Sequence, residues 1–146
     1  MTLRATSFAR ARFVTEKPCA EISLDAQDRH VRRKVLAMAD GREVLVDFEI
    51  AVKFEDGDCL VLDDGRLIRI AALPEALLEV RGADANHLAR LAWHIGNRHL
   101  EAQIEPSRIL VRPGHVIAKM LEGLGAFVTN TNEPFSPEHG AYAHGH

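Results

Sequence analysis

Histidine is the residue type whose placement in this sequence most clearly suggests chemistry. The chain has 146 residues and eight histidines, and six of these histidines lie at or after His94. A neutral imidazole is a good ligand for nickel, copper and zinc, because its nitrogen lone pair is of borderline softness. The histidine pattern therefore indicates metal binding, provided that the fold brings enough of these side chains together.

The segment from His94 to His99 contains two candidate ligands near a helix end. They are five residues apart, which is not the spacing that places two side chains on one helical face, so we do not expect them to chelate one ion. A lone His99 would leave most coordination positions to water. If His99 lay near a two-fold axis, a homodimer would supply two equivalent imidazoles without any further motif.

The last residues of the sequence are a second source of ligands. Glycines and short side chains there would let three histidines swing towards a bound ion: His139, His144 and His146. His115, in the first turn of a predicted helix, is a fifth candidate.

Each histidine also has an explanation that involves no metal. His94 could be a favourable cation at a helix C-terminus, and His99 could be a capping residue. His115 could be plain surface, and His30 and His87 are more often surface residues than ligands. The residues alone leave these alternatives open.

Composition argues against several other classes of protein. The net charge is −3 with both signs mixed along the chain, and the one compact basic run, residues 29–34, is predicted to be a solvated strand edge rather than a nucleic-acid site. No apolar run reaches the roughly 18 residues of a membrane span, and no secretory signal is recognisable, so we expect a cytoplasmic protein.

Cys19 and Cys59 lack a CxxC partner and are expected to be structural. HExxH, GxSxG and Walker motifs are absent, so we predict no catalytic residue.

The first half of the sequence predicts a β-rich domain over residues 1–74. Asp-Gly suits the two-residue turns of β-hairpins, because both residues tolerate positive φ angles. Three such dipeptides, Asp40-Gly41, Asp56-Gly57 and Asp64-Gly65, separate short apolar segments at residues 33–38, 44–48, 59–62 and 67–70. Pro74 is expected to end this domain.

The second half predicts a ferredoxin-like β-α-β-β-α-β domain over residues 75–131, in which two helices pack on one antiparallel sheet. Asp84 is expected to cap the first helix and Gly96 to end it in a left-handed conformation. Pro113 is expected to open the second helix and Gly125 to end it. Strand candidates lie at residues 77–81, 101–104, 108–111 and 126–129. The whole is an α+β protein.

From Asn130 onward the sequence is polar and lacks periodicity. We therefore expect this stretch to be disordered without a ligand, and we assign residues 132–146 to a flexible tail that carries histidines.

Several motifs in the second half also look familiar. The run His94-Ile95-Gly96-Asn97-Arg98-His99-Leu100 resembles the signature segment of the urease accessory protein UreE family. Later segments resemble the same family in the same order: His115-Val116-Ile117, Met120-Leu121, Leu124-Gly125 and the stretch from Pro134 to Tyr142. The resemblance covers the chain from about Asp28, but the stretch from Val46 to Phe54 departs from the usual family pattern.

The resemblance implies a dimeric nickel metallochaperone that is not an enzyme. Its N-terminal domain would have peptide-binding character, and its ferredoxin-like domain would form the homodimer. His99 would be the interface ligand for Ni²⁺, met by its symmetry mate, with further ligands from the tail histidines His139, His144 and His146. His115 matches a peripheral site in some relatives, although Pro113 stands where some of them carry a second histidine.

The resemblance further implies that the urease accessory GTPase and, through it, apo-urease are the partners. Zn²⁺ or Cu²⁺ would bind the same nitrogens. Three other functions fit the residues less well: a protein-interaction adapter with incidental histidines, a zinc or copper binder without a delivery role, and a small metal-dependent hydrolase.

Overall fold

The computed structural model describes residues 3–138, which divide into two compact units at the bond between Leu73 and Pro74. A six-stranded sheet forms the first unit, and the second combines a four-stranded sheet with two helices. The predicted α+β class is confirmed. Pro74 does not end the first domain as expected, because it is the first residue of a strand in the second unit. Within residues 3–138, no helix has the length and apolar character needed to cross a membrane.

The first unit contains six strands and one short 3-10 helix. They are β1 (Leu3–Ala9), the 3-10 helix (Ala11–Phe13), β2 (Ala20–Leu24), β3 (His30–Ala37), β4 (Glu43–Lys53), β5 (Cys59–Leu62) and β6 (Leu67–Ala72). Their order in the sheet is β2-β6-β5-β1-β4-β3. The strands bury alternate side chains in one apolar core, which includes Val44, Val46, Leu60, Ile68 and Ile70.

The three Asp-Gly dipeptides adopt the predicted backbone but do not all close hairpins. Their glycines have φ angles of 89°, 90° and 89°. Asp40-Gly41 joins β3 to its antiparallel neighbour β4, and Asp64-Gly65 joins β5 to β6. The hairpin expected at Asp56-Gly57 is wrong, because this turn leads from β4 to β5 and β1 lies between those two strands.

Strand β1 lies inside the sheet, although residues 3–9 show no pattern that predicts a strand. It pairs in parallel with β4 and antiparallel with β5. Its apolar pattern is weak because the buried position on its core face is only an alanine, Ala5. The strand is therefore held by its two neighbours rather than by strong β propensity.

Two buried polar side chains tie the loops of the first unit together. Arg29 is 1% exposed and donates hydrogen bonds to the carbonyl oxygens of Leu24 and Phe54. This corrects the prediction that the whole basic run is a solvated face. Asp58 is 3% exposed and accepts hydrogen bonds from Arg10 Nη1 and the Ala11 amide, at 2.8 and 2.9 Å. Burying such groups is tolerable only because they are hydrogen-bonded.

The second unit has the predicted β-α-β-β-α-β order. Its elements are β7 (Pro74–Arg81), α1 (Ala85–Asn97), β8 (Ala102–Ile104), β9 (Ile109–Val111), α2 (His115–Gly123) and β10 (Phe127–Pro134). The sheet order is β10-β7-β9-β8, with antiparallel neighbours throughout, so β8 and β10 form opposite edges. Asp84 caps α1 as predicted, because its side chain accepts a hydrogen bond from the His87 amide at 2.7 Å.

The two faces of this sheet carry different kinds of side chain. One face packs against both helices through an apolar core that includes Leu78, Val80, Leu91, Ile109 and Val111. Residues that alternate with these strand positions point to the opposite face, which we call the open face. Charged side chains such as Glu79, Arg108 and Arg112 lie there, together with the buried Leu77 and Leu110.

Arg108 connects three acidic side chains near the open face. Its guanidinium lies 2.9 Å from a carboxylate oxygen of Glu79 in β7, 2.6 Å from Glu133 in β10 and 3.1 Å from Glu105. The Arg108 side chain is 19% exposed, so water screens these ion pairs only partly. One arginine thus links two strands and the loop before β9.

These carboxylates should make the second unit sensitive to acid. Hydrogen bonds from Arg81 and Arg108 lower the pKa of Glu79, and hydrogen bonds from Arg108 and Thr131 lower that of Glu133. A carboxyl whose pKa is lower in the folded state binds more protons when unfolded. Its stabilisation is therefore present above the unfolded pKa of about 4.3 and is lost as the pH falls through the folded pKa.

Replacing the central arginine tests this linkage. Arg108→Gln should lower the free energy of unfolding at pH 7 by about 1–3 kcal/mol and flatten its decline between about pH 5 and 3. Urea unfolding followed by circular dichroism measures both effects. Arg90→Gln, at an exposed position of α1, is the control and should leave both nearly unchanged. Equal pH dependence in Arg108→Gln and the unmodified protein would contradict the prediction.

Candidate metal centre

Helix α1 ends through His99 rather than through Gly96. The helix includes Gly96 and continues to Asn97, and His99 has a φ angle of 58°, the only positive φ at a non-glycine residue among residues 3–138. The His99 amide donates to the Gly96 carbonyl at 3.0 Å, and the Leu100 amide donates to the Ile95 carbonyl at 3.3 Å. These two bonds form a Schellman motif, whose left-handed position is usually glycine. The prediction that Gly96 adopts this conformation is wrong.

Helix α2 ends in the same motif with the usual residue. Gly125 has a φ angle of 84° and donates to the Glu122 carbonyl at 2.9 Å, while the Ala126 amide donates to Leu121 at 3.0 Å. The prediction for Gly125 is therefore confirmed. Since a side chain in this conformation costs roughly 1 kcal/mol, His99 carries backbone strain that Gly125 avoids. Such strain is most often found at functional sites.

His99 is exposed and lies in a shallow pocket of the second unit. The pocket has a volume of about 440 Å³, and its walls include Ala92, Ala102, Ile104 and Glu138 as well as Leu100 and Glu101 beside His99. Leu100 is 39% exposed and Ile104 is 53% exposed, so apolar side chains surround the imidazole. These exposed side chains are apolar surface that a partner could cover.

A single chain offers this pocket few ligands. One imidazole, His99, and two carboxylates, Glu101 and Glu138, lie along it, and Glu101 already accepts a hydrogen bond from Arg112 Nε at 3.0 Å. No group of three or more histidine, cysteine, aspartate or glutamate side chains within residues 3–138 is arranged to hold a metal ion. Additional ligands would have to come from the residues after Glu138 or from a second molecule.

The other described histidines have distinct surroundings. His115 is exposed and is the first residue of α2; Gly114 is the N-cap, so Pro113 precedes the helix instead of opening it as predicted. The half-buried ring of His94 lies edge-on to Trp93, with 5.1 Å between ring centroids. The structure does not gather these two side chains into a metal-binding cluster with His99.

His87 is a structural residue rather than the surface residue predicted. Its Nδ1 accepts a hydrogen bond from the Ala83 amide at 2.9 Å, and its Nε2 lies 2.8 Å from the Leu124 carbonyl oxygen. The ring thus connects the start of α1 to the end of α2. Donating to Leu124 while accepting from Ala83 requires the neutral ring with its hydrogen on Nε2.

Part of the predicted disordered tail is ordered. Strand β10 continues to Pro134 and pairs with β7 along its whole length, and residues 135–138 also make defined contacts. Disorder from Asn130 is therefore wrong for residues 130–138, because backbone pairing orders a segment that lacks an apolar pattern. His139, His144 and His146 lie outside the described residues.

Glu138 is the pocket residue that sequence reasoning missed. It lines the pocket with His99 although the two are far apart in sequence. The only available signal was the stretch from Pro134 to Tyr142, which resembles a known family but shows no periodicity that would predict where it packs.

Comparison with known proteins places both units in one family. Residues 5–73 match the family described as UreE urease accessory protein, N-terminal domain, and residues 75–146 match UreE urease accessory protein, C-terminal domain. Three relatives illustrate the similarity. Urease accessory protein UreE 1 of Brucella suis biovar 1 (strain 1330) is 52% identical over 144 residues, which cover 98% of this chain and 89% of the relative.

The other two relatives are called urease accessory protein UreE. That of Rhizobium leguminosarum bv. trifolii (strain WSM2304) is 49% identical over 147 residues, covering 98% of this chain and 76% of the relative. That of Chelativorans sp. (strain BNC1) is 52% identical over 145 residues, covering 99% and 90%.

The strain at His99 can be measured by comparing two substitutions at that position. His99→Gly and His99→Ala both remove the imidazole, but only glycine relieves the left-handed backbone. His99→Gly should therefore be more stable than His99→Ala by about 0.5–1 kcal/mol, as measured by urea unfolding without metal. Gly125→Ala supplies the reverse control and should be destabilised by a similar amount. Equal stability of the two His99 variants would show that the position is unstrained.

Proposed function

Because this chain belongs to the UreE family of urease accessory proteins, we propose that it is a nickel metallochaperone that carries and donates Ni²⁺ for assembly of the urease active site. It acts without catalysing a reaction itself. The metal is its cargo, held between two copies of the chain through His99.

The observation that supports this proposal is the exposure of His99 beside apolar surface. Its imidazole is exposed, and a Schellman motif fixes the direction of the backbone that carries it. Exposed Leu100 and Ile104 adjoin it and supply apolar surface that a second copy would cover. Because a two-fold interface repeats every residue, a contact through this pocket would bring two imidazoles together.

The ligand chemistry favours transfer over permanent retention. Two imidazoles, tail histidines and water would hold Ni²⁺ without a thiolate. Neither cysteine lines the pocket: Cys59 is buried, which raises the pKa of its thiol, and Cys19 is exposed but belongs to the first unit. A shell of neutral nitrogens and water can be exchanged stepwise when a partner offers its own ligands. The partners we propose are the urease accessory GTPase and, through it, apo-urease.

The remaining histidines have subordinate roles in this proposal. His139, His144 and His146 complete the shell from the tail. His115 binds an additional ion peripherally and weakly, since no described histidine or carboxylate cluster supports it. Zn²⁺ and Cu²⁺ occupy the same site when present, because imidazole does not exclude them.

Nickel titration of matched histidine variants tests the central assignment. His99→Ala should lose the tightest binding step in isothermal titration calorimetry, whereas His115→Ala should keep it and lose only weaker binding. Nickel affinity of the unmodified protein should also decline as the pH is lowered, because protons compete for imidazole nitrogens. Sedimentation equilibrium should show a dimer.

Two results would refute the proposal. One is unchanged nickel affinity in folded His99→Ala. The other is tight nickel binding by a protein that remains monomeric in sedimentation equilibrium, since one His99 would then suffice.

A further inference from the structure

Strands β1 and β4 of the first unit separate after a short stretch of parallel pairing. They pair at three positions, of which the last joins Ala5 to Val46. Both strands continue beyond this pair, β1 to Ala9 and β4 to Lys53. Arg10 Nη1 closes the far end by donating a hydrogen bond to the Lys53 carbonyl oxygen at 2.8 Å. The two strands therefore enclose a gap between residues 6–9 and 47–52, which we call the slot.

The middle of β4 is also released from its other neighbour, β3. Between two positions that pair with β3, β4 has four residues, 48–51, where β3 has only Arg32. Within the described part of the chain, these four residues have no paired residue in β1 or β3. Such a bulge leaves backbone groups outside the ladder of hydrogen bonds. In this bulge the Glu49 carbonyl oxygen accepts a hydrogen bond from Arg32 Nε at 3.3 Å.

Strand β1 contributes further backbone groups to the opposite side of the slot. Its residues 7–9 pair in antiparallel fashion with β5. In such a strand, alternate backbone groups point away from the partner, and here they point towards the strand from which β1 has separated. Backbone donors and acceptors need partners, which are either water or another main chain. The slot therefore offers main-chain hydrogen bonding along both of its sides.

The side chains of the slot are suited to a large apolar group. The slot has a volume of about 680 Å³, within the range of about 300–1,000 Å³ that is usual for ligand pockets. The rings of Phe8 in β1 and Phe48 in β4 contact each other edge to face, with 5.7 Å between centroids. Ile50 lies in the bulge and is 74% exposed, the highest value for a large apolar side chain among residues 3–138.

The charges around the slot nearly cancel. Arg4 lies 3.2 Å from a carboxylate oxygen of Asp63 and 3.4 Å from one of Asp47. Arg32 and Glu49 form no ion pair within residues 3–138, but their charges are opposite. A ligand with a large net charge therefore gains little here. The complementary ligand is a main chain that carries an apolar side chain.

We propose that the slot binds one extended segment of a partner protein, whose main chain lies between β1 and β4 and whose large apolar side chain packs against Phe8, Phe48 and Ile50. Binding of this kind takes its affinity from main-chain hydrogen bonds and its specificity from side-chain pockets. A second folded copy does not suit the slot, because its sheet is wider than a gap between two strands. The inference goes beyond the proposed function, since no metal takes part. It also gives a role to residues 46–54, which depart from the usual family pattern.

Peptide titration followed by ¹⁵N NMR tests the proposal on the full chain without metal. The probes are three nonapeptides of serine and threonine with a central leucine, phenylalanine or tryptophan. At least one should bind with a Kd below about 1 mM and shift the backbone amide signals of residues 6–9 and 47–52. The same peptide with alternate amides N-methylated should bind at least about tenfold more weakly, because it loses several main-chain hydrogen bonds.

Two alanine variants locate the contact. Ile50→Ala and Val35→Ala each truncate an exposed β-branched side chain, and they lie on neighbouring strands, but Val35 does not line the slot. Ile50→Ala should weaken peptide binding about threefold to tenfold, because it removes apolar contact area. Val35→Ala should leave peptide binding unchanged. Neither side chain belongs to the core, so both variants should fold.

Four results would overturn the proposal. They are the absence of amide shifts in the slot with all three peptides, equal binding of the N-methylated peptide, unchanged binding by Ile50→Ala, and concentration-dependent shifts of the same amides without peptide. The last result would identify a second copy of the chain as the occupant. Because no metal is present, these outcomes are independent of the nickel titrations.

Discussion

The left-handed backbone at the end of α1 is the constraint on which the candidate site depends. A helix can stop and turn sharply into a strand if one residue adopts positive φ while two amides return to the last carbonyls. Here that residue is His99, so the chain reversal that leads to β8 also presents the imidazole. Gly125 makes the same turn after α2 without strain. The comparison indicates that backbone strain is accepted at the end of α1, where it presents an imidazole, and avoided at the end of α2.

The two faces of the second sheet position different parts of the candidate site. Apolar packing against the helices fixes α1, and hence His99, relative to β8 and β9. The open face combines the buried Leu77 and Leu110 with ion pairs: Arg108 links Glu79 to Glu133, and Arg112 bonds to Glu75 while lying over Phe135. These contacts lead the chain from β10 to the opposite edge. One face thus positions the helix end, and the other positions the segment that precedes the tail.

Local patterns predicted much of the fold, and the failures share a cause. Helical spacing, the Asp84 cap and positive-φ glycines located both helices and most turns, because these signals act over a few residues. Strand β1, the burial of Arg29 and the order of residues 130–138 were not predictable in this way. Each depends on partners distant in sequence, since a strand or a buried guanidinium is stabilised by groups that the fold brings to it.

The sequence by itself determined the α+β class, the likeness to a family of urease accessory proteins and the candidate status of His99, because residue types and short spacings suffice for these. Only the tertiary structure decided that His99, not Gly96, terminates α1, and that Glu138 lines the pocket beside His99. The physical reason is that several residues near a helix end could adopt the left-handed conformation, and backbone hydrogen bonds decide which one does. Pocket walls come from segments far apart in the sequence, and the folded backbone alone brings them together.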